Sequence, residues 1–148
     1  MLEKYKEKRN FKKTNEPNGE IPIKKSKEII FVVHEHHASH LHWDLRLEMD
    51  GVLKSWAIPK EPSTDPSVKR LAIQVEDHPY DYKDFEGTIP EGQYGAGKVK
   101  IWDKGTYEIL EKTEKGLVIK MNGKKLKGTF VLFKFKPPKN WLFFNKKE

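Results

Sequence analysis

The chain has 148 residues, of which 36% are hydrophobic and 34% are charged, and it contains no cysteine. This length suits a single domain with a modest core, and the longest apolar run, at residues 29–33, is far shorter than the ~20 residues of a membrane span. The lack of cysteine excludes disulfides, thiolate metal ligands and a cysteine nucleophile. Because the N-terminus has no apolar segment typical of a signal peptide, we expect a cytoplasmic protein that does not associate with a membrane.

The N-terminal segment is strongly basic. Residues 1–27 hold nine Lys and Arg side chains against four acids, which leaves a net charge of only +2 for the rest of a chain whose total is +7. Pro17, Gly19 and Pro22 interrupt this segment, and it shows little hydrophobic periodicity. We therefore predict a basic N-terminal arm over residues 1–27 and a folded domain over residues 28–148. Such an arm suits a polyanion such as nucleic acid, and its charge is equally compatible with a solvated, frayed terminus.

From residue 29 onward, the hydrophobic pattern is that of short β-strands. The candidate strands are residues 29–33, 42–48, 52–58, 71–76, 99–102, 106–110, 117–121, 129–135 and 141–144. Asp50-Gly51 and Asn122-Gly123 are residue pairs that favour two-residue hairpin turns, because both central positions need positive φ. Many short strands at close spacing predict an all-β, mainly antiparallel fold, either a closed or partly open β-barrel or a sandwich. Short helices around residues 66–70 or in the arm also fit the pattern.

Histidines are concentrated in one short stretch of the chain. Five of the six lie between His34 and His42, at the start of a strand with strict alternation. Trp43, Leu45 and Leu47 point to one side of that strand and form a core face. The opposite side carries His42, Asp44, Arg46 and Glu48. The sequence therefore predicts a wall of polar and charged groups backed by apolar residues.

This wall has the residue types of a metal site. The side chains of His42 and Asp44 are two residues apart on one strand, so they start ~7 Å apart and can converge on one ion, and His36 can return across a short loop as a third ligand. Two imidazoles and one carboxylate suit Mn²⁺, Fe²⁺ or Zn²⁺. Arg46 beside the ion offers a planar fork for phosphate oxygens. The alternative is a group of exposed histidines at the end of a strand.

Two further segments carry weaker signals. The alternation in residues 71–79 predicts that Leu71, Ile73 and Val75 face the core and that His78 stands at the strand rim before Pro79. Taken alone, His78 has the pattern of a surface histidine. The glycine-rich residues 92–97 precede a strand and not a helix, so they favour a tight loop between strands over a dinucleotide-binding fingerprint.

Four linked motifs of this chain resemble the 3′-phosphoesterase domain of the bacterial end-joining DNA ligase, ligase D. They are HxAxxLHWDLRLE at residues 36–48, GVLKSWAIPK at 51–60, EDHPxxY at 76–82 and FEGxIPEGxYGAG at 85–97. The similarity also reaches Arg9-Asn10-Phe11 and Glu16-Pro17-x-Gly19 in the arm, and the closing Gly128-x-Phe130 and Trp141-Leu142 segments. Because it covers nearly the whole chain and no ligase or polymerase domain is present, the resemblance implies a stand-alone member of this family.

The resemblance implies a small β-barrel enzyme that uses Mn²⁺, with Zn²⁺ or Co²⁺ as other candidate ions, and that acts on 3′ ends of DNA or RNA. The family removes a 3′-terminal ribonucleoside to leave a 3′-phosphate and then hydrolyses that phosphate to a 3′-hydroxyl. By motif position, the resemblance implies that the metal ligands are His36, His42 and Asp44. It implies that the groups that engage the scissile phosphate are His78, Arg46 and Tyr82. The positions that match supporting substrate-binding residues are Arg9, Asn10, Glu16, Arg70 and Glu76.

Three positions depart from the family pattern. His34 stands where the family commonly has Gln, Trp43 where it has Tyr, and Asn10 where it has Asp. The family associates that acid mainly with ribonucleoside removal. The resemblance therefore implies phosphate removal more firmly than ribonucleoside removal.

Two other functions fit parts of the same sequence. His42-x-Asp44 with a distant histidine is also the outline of a non-haem iron oxygenase site, but an oxidation substrate gives Arg46 and the basic arm no role. A non-catalytic barrel that binds single-stranded nucleic acid through charge and exposed aromatic residues would also be basic. We predict the phosphoesterase, with nucleic-acid 3′ ends in a primer–template or nicked duplex as its substrate and a separate DNA ligase as a candidate partner.

Overall fold

A computed structural model describes residues 2–19 and 28–147. Pro22 and the three lysines of residues 24–27, which belong to the predicted arm, lie outside the described residues. The elements in chain order are helix α1 (Glu3–Glu7), strands β1 (Ile29–His37), β2 (Leu41–Met49), β3 (Val52–Ile58) and β4 (Arg70–Pro79), a 3₁₀-helix (Tyr80–Asp84), and strands β5 (Gly87–Ile89), β6 (Gly97–Thr113), β7 (Gly116–Asn122), β8 (Lys127–Lys136) and β9 (Asn140–Asn145).

The strands form a closed antiparallel barrel, as the sequence predicts. Eight strands follow one another around it in the order β1-β2-β3-β4-β9-β8-β7-β6, and β6 pairs back with β1. The short β5 is an additional strand on the edge of β6. The sequence predicts two strands within residues 99–110, but β6 is one continuous strand, because its first half pairs with β1 and its second half with β7. This long strand closes the barrel.

The two predicted hairpin turns have different outcomes. Asp50 and Gly51 join β2 to β3 with φ values of 54° and 81°, which confirms that turn. The prediction at Asn122-Gly123 is wrong, because β7 and β8 are joined by residues 123–126. The carboxylate of Asp103 organises this loop by accepting hydrogen bonds from the backbone N–H groups of Lys124, Lys125 and Leu126. Of the two predicted helical regions, the arm contains one and residues 66–70 do not.

The barrel interior holds the main hydrophobic core. Leu45 and Leu47 are fully buried and Trp43 is 8% exposed, which confirms the apolar side of β2. Phe31, Trp56, Ile119, Phe130 and Phe143 pack in the same cluster. Within residues 2–19 and 28–147, no helix has the length and apolar character needed to cross a membrane.

The orientation predicted for β4 is wrong. Ala72 is buried in the core, whereas Leu71 is 37% exposed and Val75 lines a pocket on the outer side of the barrel. Alternation identifies the inner side of a strand only when the other side is polar, and the outer side of β4 is apolar. A β-bulge opposite Leu53–Ser55 then inserts one extra residue, so Glu76 and His78 follow Val75 onto the pocket side.

Residues 2–19 pack on the outside of the barrel. Tyr5 of α1 is fully buried and shares a second hydrophobic cluster with Val32 of β1, Leu53 of β3 and Tyr82 of the 3₁₀-helix. The outer side of β1–β3 and of the second half of β4, from Val75 onward, is therefore enclosed by the arm and by this helix. We call it the covered face.

Candidate metal centre and active site

A pocket of about 270 Å³ opens on the covered face. Its lining includes the three predicted metal ligands, the two arginines Arg9 and Arg46, and His78 with Tyr82. Strands β1 and β2 supply the ligands, β4 and the 3₁₀-helix supply His78 and Tyr82, and the arm supplies Arg9. Residues that are distant in sequence thus meet in one cavity.

The three predicted ligands converge in this pocket. His36 lies directly opposite His42 on the neighbouring strand, and their rings are 4.7 Å apart. Nδ1 of His36 is 3.6 Å from Oδ2 of Asp44, and Nε2 of His42 is 3.3 Å from Oδ1 of Asp44. One ligand atom from each residue lies within 4.8 Å of the others. His36 reaches the site by strand pairing and not across a loop.

Hydrogen bonds leave the correct ring nitrogens for a metal ion. Nε2 of His36 lies 2.7 Å from the carbonyl oxygen of Gly95, and Nδ1 of His42 lies 3.0 Å from that of His40. A carbonyl only accepts, so these nitrogens carry the protons and the nitrogens that face Asp44 have free lone pairs. Metal-bound histidines are commonly oriented in this way by a second hydrogen bond. The residues therefore fit a divalent ion.

Arg46 is held in a fixed plane beside Asp44. Its Nε donates to Nδ1 of His34 at 3.1 Å, Nη1 to Oγ of Ser55 at 3.0 Å, and Nη2 to Oδ2 of Asp44 at 3.3 Å. The guanidinium also lies 4.9 Å from the ring centre of Tyr82. Burial opposes the charge of Asp44, but the Arg46 guanidinium beside it helps to hold the pKa of that carboxyl well below its usual range.

His78 is buried in the pocket and not exposed at the strand rim, so the surface reading of this residue is wrong. Only 4% of it is accessible. Its Nδ1 donates to the carbonyl oxygen of Glu76 at 3.0 Å, and its Nε2 accepts from Nη2 of Arg9 at 3.2 Å. Burial, together with the charges of Arg46 and Arg9, lowers the pKa of His78 well below its ordinary value. His78 is therefore neutral at pH 7 in this arrangement.

The arm and the 3₁₀-helix are linked by buried ionic contacts. Arg9 Nε is 2.8 Å from Oε2 of Glu16, and Arg9 Nη1 is 3.2 Å from Oε2 of Glu76. The hydroxyl of Tyr82 donates to Oε2 of Glu16 at 2.7 Å. Burial raises the pKa of Tyr82 well above its ordinary value, which keeps this hydroxyl a donor. Arg9, Glu16 and Glu76 thus lie together at the side of the pocket.

Two of the predicted substrate-binding residues lie elsewhere. Asn10 is exposed, and its Oδ1 accepts from the backbone N–H of Lys12 at 3.1 Å within a turn of the arm. Arg70 lies at the start of β4 opposite Phe143, and its Nε donates to the carbonyl oxygen of Glu61 at 2.7 Å. Neither side chain lines the pocket.

Sequence reasoning missed four residues that organise the pocket. His34 and Ser55 hold Arg46, Tyr5 packs against His78 with ring centres 5.1 Å apart, and Tyr94 stands 47% exposed at the pocket mouth. His34 could have been found, since it precedes His36 by two residues and so shares its side of β1. The other three depend on strand register or on the packing of the arm.

Comparison with known proteins agrees with this geometry. Residues 34–134 match the family model described as the DNA Ligase D 3′-phosphoesterase domain. The chain is 50% identical over 139 residues to the Pseudomonas aeruginosa "Multifunctional non-homologous end joining protein LigD", which covers 90% of this chain and 16% of that protein.

Two mycobacterial relatives give the same result. Identity is 44% over 144 residues with the Mycobacterium tuberculosis "Multifunctional non-homologous end joining DNA repair protein LigD", covering 90% of this chain and 18% of that protein. It is 42% over 159 residues with the corresponding Mycolicibacterium smegmatis protein, covering 99% of this chain and 21% of that protein. The chain thus spans about a fifth of the length of these relatives, and residues 34–134 of the family match include every pocket-lining residue except Arg9. By family match and by identity, this chain belongs to the DNA ligase D 3′-phosphoesterase domain family.

Proposed function

We propose that this protein is a metal-dependent 3′-phosphoesterase that removes a 3′-phosphate from nucleic acid and leaves a 3′-hydroxyl. Family membership supports a role in processing 3′ ends. The observation that carries the finer proposal is the meeting of His36, His42 and Asp44 in one pocket with the oriented guanidinium of Arg46. A metal-ligand set and a fixed cation beside it form a site suited to a phosphate group.

The ion that we propose is Mn²⁺, and two imidazoles with one carboxylate are also compatible with Zn²⁺ or Co²⁺. His36 Nδ1, His42 Nε2 and an oxygen of Asp44 would hold it. When bound, such an ion supplies Lewis-acid stabilisation of charge at phosphorus and lowers the pKa of bound water.

Arg46 is the phosphate-orienting residue in this proposal. A guanidinium has five N–H donors, and three are directed to His34, Ser55 and Asp44. The other two remain for phosphate oxygens. Because these partners are buried and fixed, little reorganisation is needed when the substrate binds.

His78 is the group that we assign to the leaving 3′ oxygen. It is neutral in the free protein, but the negative charge of a bound phosphate raises the pKa of a neighbouring imidazole. A protonated His78 would hydrogen-bond the phosphate or donate its proton to the leaving oxygen. Tyr82, whose ring lies 4.7 Å from that of His78, keeps the imidazole in place.

Direct attack by water is the route that the chain supports best. The sequence has no cysteine, and the hydroxyl of Ser55, which contacts Arg46, is fully buried and donates to the carbonyl oxygen of Leu53 at 3.0 Å. A hydroxyl committed to that bond is poorly placed as a nucleophile.

Removal of a 3′-terminal ribonucleoside is a second activity that we propose for the same site. This reaction needs the sugar of the terminal nucleoside to be held, and Arg9, Glu16 and Glu76 offer polar groups beside the pocket. Its substrates would be 3′ ends in a primer–template or nicked duplex. A DNA ligase is the proposed downstream partner, since ligation requires a 3′-hydroxyl.

The proposal is tested with oligonucleotides that end in a 3′-phosphate or in a single ribonucleotide, incubated with Mn²⁺, Zn²⁺, Mg²⁺ or a chelator. We expect metal-dependent release of phosphate, and loss of both reactions in His42→Ala and in Asp44→Ala. His37→Ala is the matched control, because His37 lies on the same strand as His36 but its side chain is 43% exposed and pairs with Glu35.

Turnover in chelator, or near-normal turnover by either ligand variant at stoichiometric metal, would refute the assignment. Iron-dependent oxygen consumption without phosphate release would favour an oxygenase instead.

A further inference from the structure

The glycine-rich loop that joins β5 to β6, residues 90–96, ends in a tight turn beside the pocket. The backbone N–H of Ala96 donates to the carbonyl oxygen of Gln93 at 3.1 Å and closes this turn. Gly95 occupies its third position with a φ of 74°, the value that a type II turn needs there. Tyr94 is the second residue of the turn, so its backbone is held in place by a hydrogen-bonded loop.

This turn also joins Tyr94 to the candidate metal centre. Nε2 of His36 donates to the carbonyl oxygen of Gly95 at 2.7 Å, and a Cβ atom added at Gly95 would lie 3.5 Å from Cε1 of the same imidazole. Tyr94 and Gly95 are neighbours in the chain, so their Cα atoms are about 3.8 Å apart. Tyr94 therefore keeps a fixed position next to a predicted metal ligand.

The side chain of Tyr94 is exposed although it lines the pocket. Tyr94 is 47% exposed, whereas Tyr82, the other tyrosine of the pocket lining, is 2% exposed. A ring that only filled space in the pocket wall would be buried as Tyr82 is. Tyrosine combines a large apolar ring with a polar hydroxyl, and it is enriched where proteins contact other molecules. Tyr94 thus has the character of a contact residue at the pocket mouth.

Two cations of the arm approach Tyr94. Nζ of Lys8 donates to the Tyr94 hydroxyl at 3.3 Å, and the guanidinium carbon of Arg9 is 5.4 Å from the ring centre. Nη2 of the same arginine donates to Nε2 of His78 at 3.2 Å. One guanidinium group therefore separates the Tyr94 ring from the histidine that we assign to the leaving 3′ oxygen. The ring lies within reach of the nucleotide whose 3′-phosphate occupies the pocket.

The base at a 3′ end differs from an internal base because no following base covers its outer surface. An aromatic side chain can stack on this surface whichever base is present, since every base has a π-face. The recessed strand of a primer–template exposes the surface while its last base remains paired, so stacking on the protein does not require the duplex to open. The pocket groups that engage phosphate supply no such contact with a base.

We propose that the ring of Tyr94 stacks on the base of the 3′-terminal nucleotide while the pocket holds the 3′-phosphate of that nucleotide. Tyr94 is then a specificity-determining residue that distinguishes a nucleotide end from other phosphate esters. This inference rests on the proposed function, which places the 3′ end in the pocket. Because stacking is the same in the ground state and the transition state, loss of the ring should raise KM and leave kcat nearly unchanged.

The test compares the binding of two primer–template duplexes in chelator, so that hydrolysis does not interfere. The recessed strand of each ends in a 3′-phosphate, and its last residue is either a nucleotide or a stable abasic residue. The template is abasic opposite this position in both, so that the duplexes differ only in the terminal base. Measured by fluorescence anisotropy, the wild type should bind the duplex that has the terminal base about tenfold more tightly.

Two variants at position 94 separate the ring from the hydroxyl. Tyr94→Leu keeps apolar area but removes the ring, so the preference for the terminal base should fall to about twofold or less. Tyr94→Phe keeps the ring and loses the contact between the hydroxyl and Lys8, so the preference should remain about tenfold. The control is Phe135→Leu, which replaces a 38% exposed ring of β8 outside the pocket lining and should keep the wild-type preference.

The ratio of the two affinities is informative because displacement of the arm would weaken the binding of both duplexes equally. Equal affinity of the wild type for the two duplexes would overturn the proposal, as would a base preference that survives in Tyr94→Leu. If Tyr94→Phe loses the preference as fully as Tyr94→Leu does, the contact with Lys8 and not stacking is responsible, and the proposal is again overturned. The wild-type comparison needs no variant, so it decides the proposal even if a substitution impairs folding.

Hydrolysis with Mn²⁺ separates this inference from the proposed function. We expect phosphate release from both duplexes, with a KM that depends on the terminal base and a kcat that does not. Base-dependent binding without phosphate release from either duplex would refute the proposed function and leave Tyr94 as a base-stacking residue. Phosphate release with no base dependence of binding or of KM would refute the stacking and leave the proposed function.

Discussion

The two outer faces of this barrel reverse the usual distribution of polar and apolar residues. On the covered face, His34, Asp44, Arg46 and His78 are no more than 5% exposed. On the outer side of β4, β9 and β8, which the arm does not cover, large apolar side chains such as Phe133 and Leu71 are at least 37% exposed. Both faces belong to strands whose inner sides fill the same core. The difference arises because the arm and the 3₁₀-helix form a second layer over one face only.

This difference shows what the second layer contributes. The main hydrophobic core lies inside the barrel, so the outer faces are free to carry charged groups. A layer that excludes water strengthens every electrostatic interaction beneath it, and it requires each buried polar group to have a partner. The charged groups of the pocket meet that requirement, with Arg46 and Asp44 as the central pair.

The largest expected effect is that of Asp44→Asn on the covered face. The substitution keeps the volume of the side chain but removes the charge that faces the two imidazoles and Arg46. Because a bound ion contributes several kcal/mol to stabilising the transition state, we expect turnover of a 3′-phosphate to fall by about a thousandfold or more. Mn²⁺ binding, measured by calorimetry, should weaken in parallel. Glu108→Gln makes the same chemical change at an exposed position of β6 and should alter neither measurement.

Tyr5→Ala tests whether the second layer can be removed without unfolding the barrel. The ring of Tyr5 is fully buried against His78 and Tyr82, with Arg9 4.0 Å from its centre. Truncation of such a ring costs about 3–5 kcal/mol. A five-residue helix is too short to be stable by itself, so it depends on this packing. We expect the arm to undock locally, with rapid trypsin cleavage after its lysines and a large loss of turnover.

The barrel of this variant should keep most of its unfolding temperature, because local opening need not involve the whole fold. Tyr5→Phe is the control, since it keeps the ring and loses only the hydrogen bond to the carbonyl oxygen of Pro17. If Tyr5→Ala lowers the unfolding temperature of the barrel strongly as well as exposing the arm to trypsin, the arm and the barrel form one cooperative unit. The two-layer description then fails.

His34→Gln tests the cost of burying a titratable group under this layer. Burial, helped by the charge of Arg46, lowers the pKa of His34 to about 3. Below pH ~6.5 the His34 imidazole is therefore protonated in the unfolded chain, but in the folded chain it stays neutral down to about pH 3. The free energy of unfolding consequently falls as the pH falls through this window. At ~1.4 kcal/mol per pH unit, the loss from this residue at pH 5 is about 2 kcal/mol.

Glutamine can accept from Arg46 and donate to the carbonyl oxygen of Phe85, as His34 does at 3.1 and 3.0 Å. We therefore expect His34→Gln to match the wild type at pH 7.5 and to be about 2 kcal/mol less sensitive to acid at pH 5. Urea unfolding in chelator measures this difference. An identical pH dependence in both proteins would mean that His34 is solvated and that the layer does not exclude water there.

How far the sequence predicts this site depends on whether a residue's neighbours lie on its own strand. Strict alternation in β2 gives the core side of Leu45 and the site side of Asp44, because a period of two fixes both. The position of His78 could not be obtained in this way. It depends on a bulge in β4 and on a tyrosine from the arm, and neither leaves a local signal.

Charge was misjudged for a related reason. A net charge of +2 beyond the arm reads as a balanced body, but it is the sum of an acidic first part and a strongly basic last third. Averaging over residues 28–148 hid this asymmetry. The strands of the basic part, β7, β8 and β9, are neighbours in the barrel, which only the fold reveals.

The smallest expected effect is that of Asn10→Asp in the arm. The family resemblance predicts that an acid here favours ribonucleoside removal. The structure places this side chain at the surface, bound to the backbone N–H of Lys12 and one residue from Arg9. A carboxylate would make that hydrogen bond stronger. It would thereby stabilise the turn that places Arg9 at the pocket. Because an exposed charge contributes ~1 kcal/mol or less, the gain in ribonucleoside removal should be about fivefold at most. Phosphate removal should not change, since it depends on groups beneath the arm, such as Arg46.

Single-turnover rates on the two substrates measure whether the two activities respond differently to Asn10→Asp. The control is Asn18→Asp, which makes the same chemical change elsewhere in the arm. An equal gain on both substrates would mean that position 10 acts through general charge, and no gain on either would remove Asn10 from the substrate-binding residues.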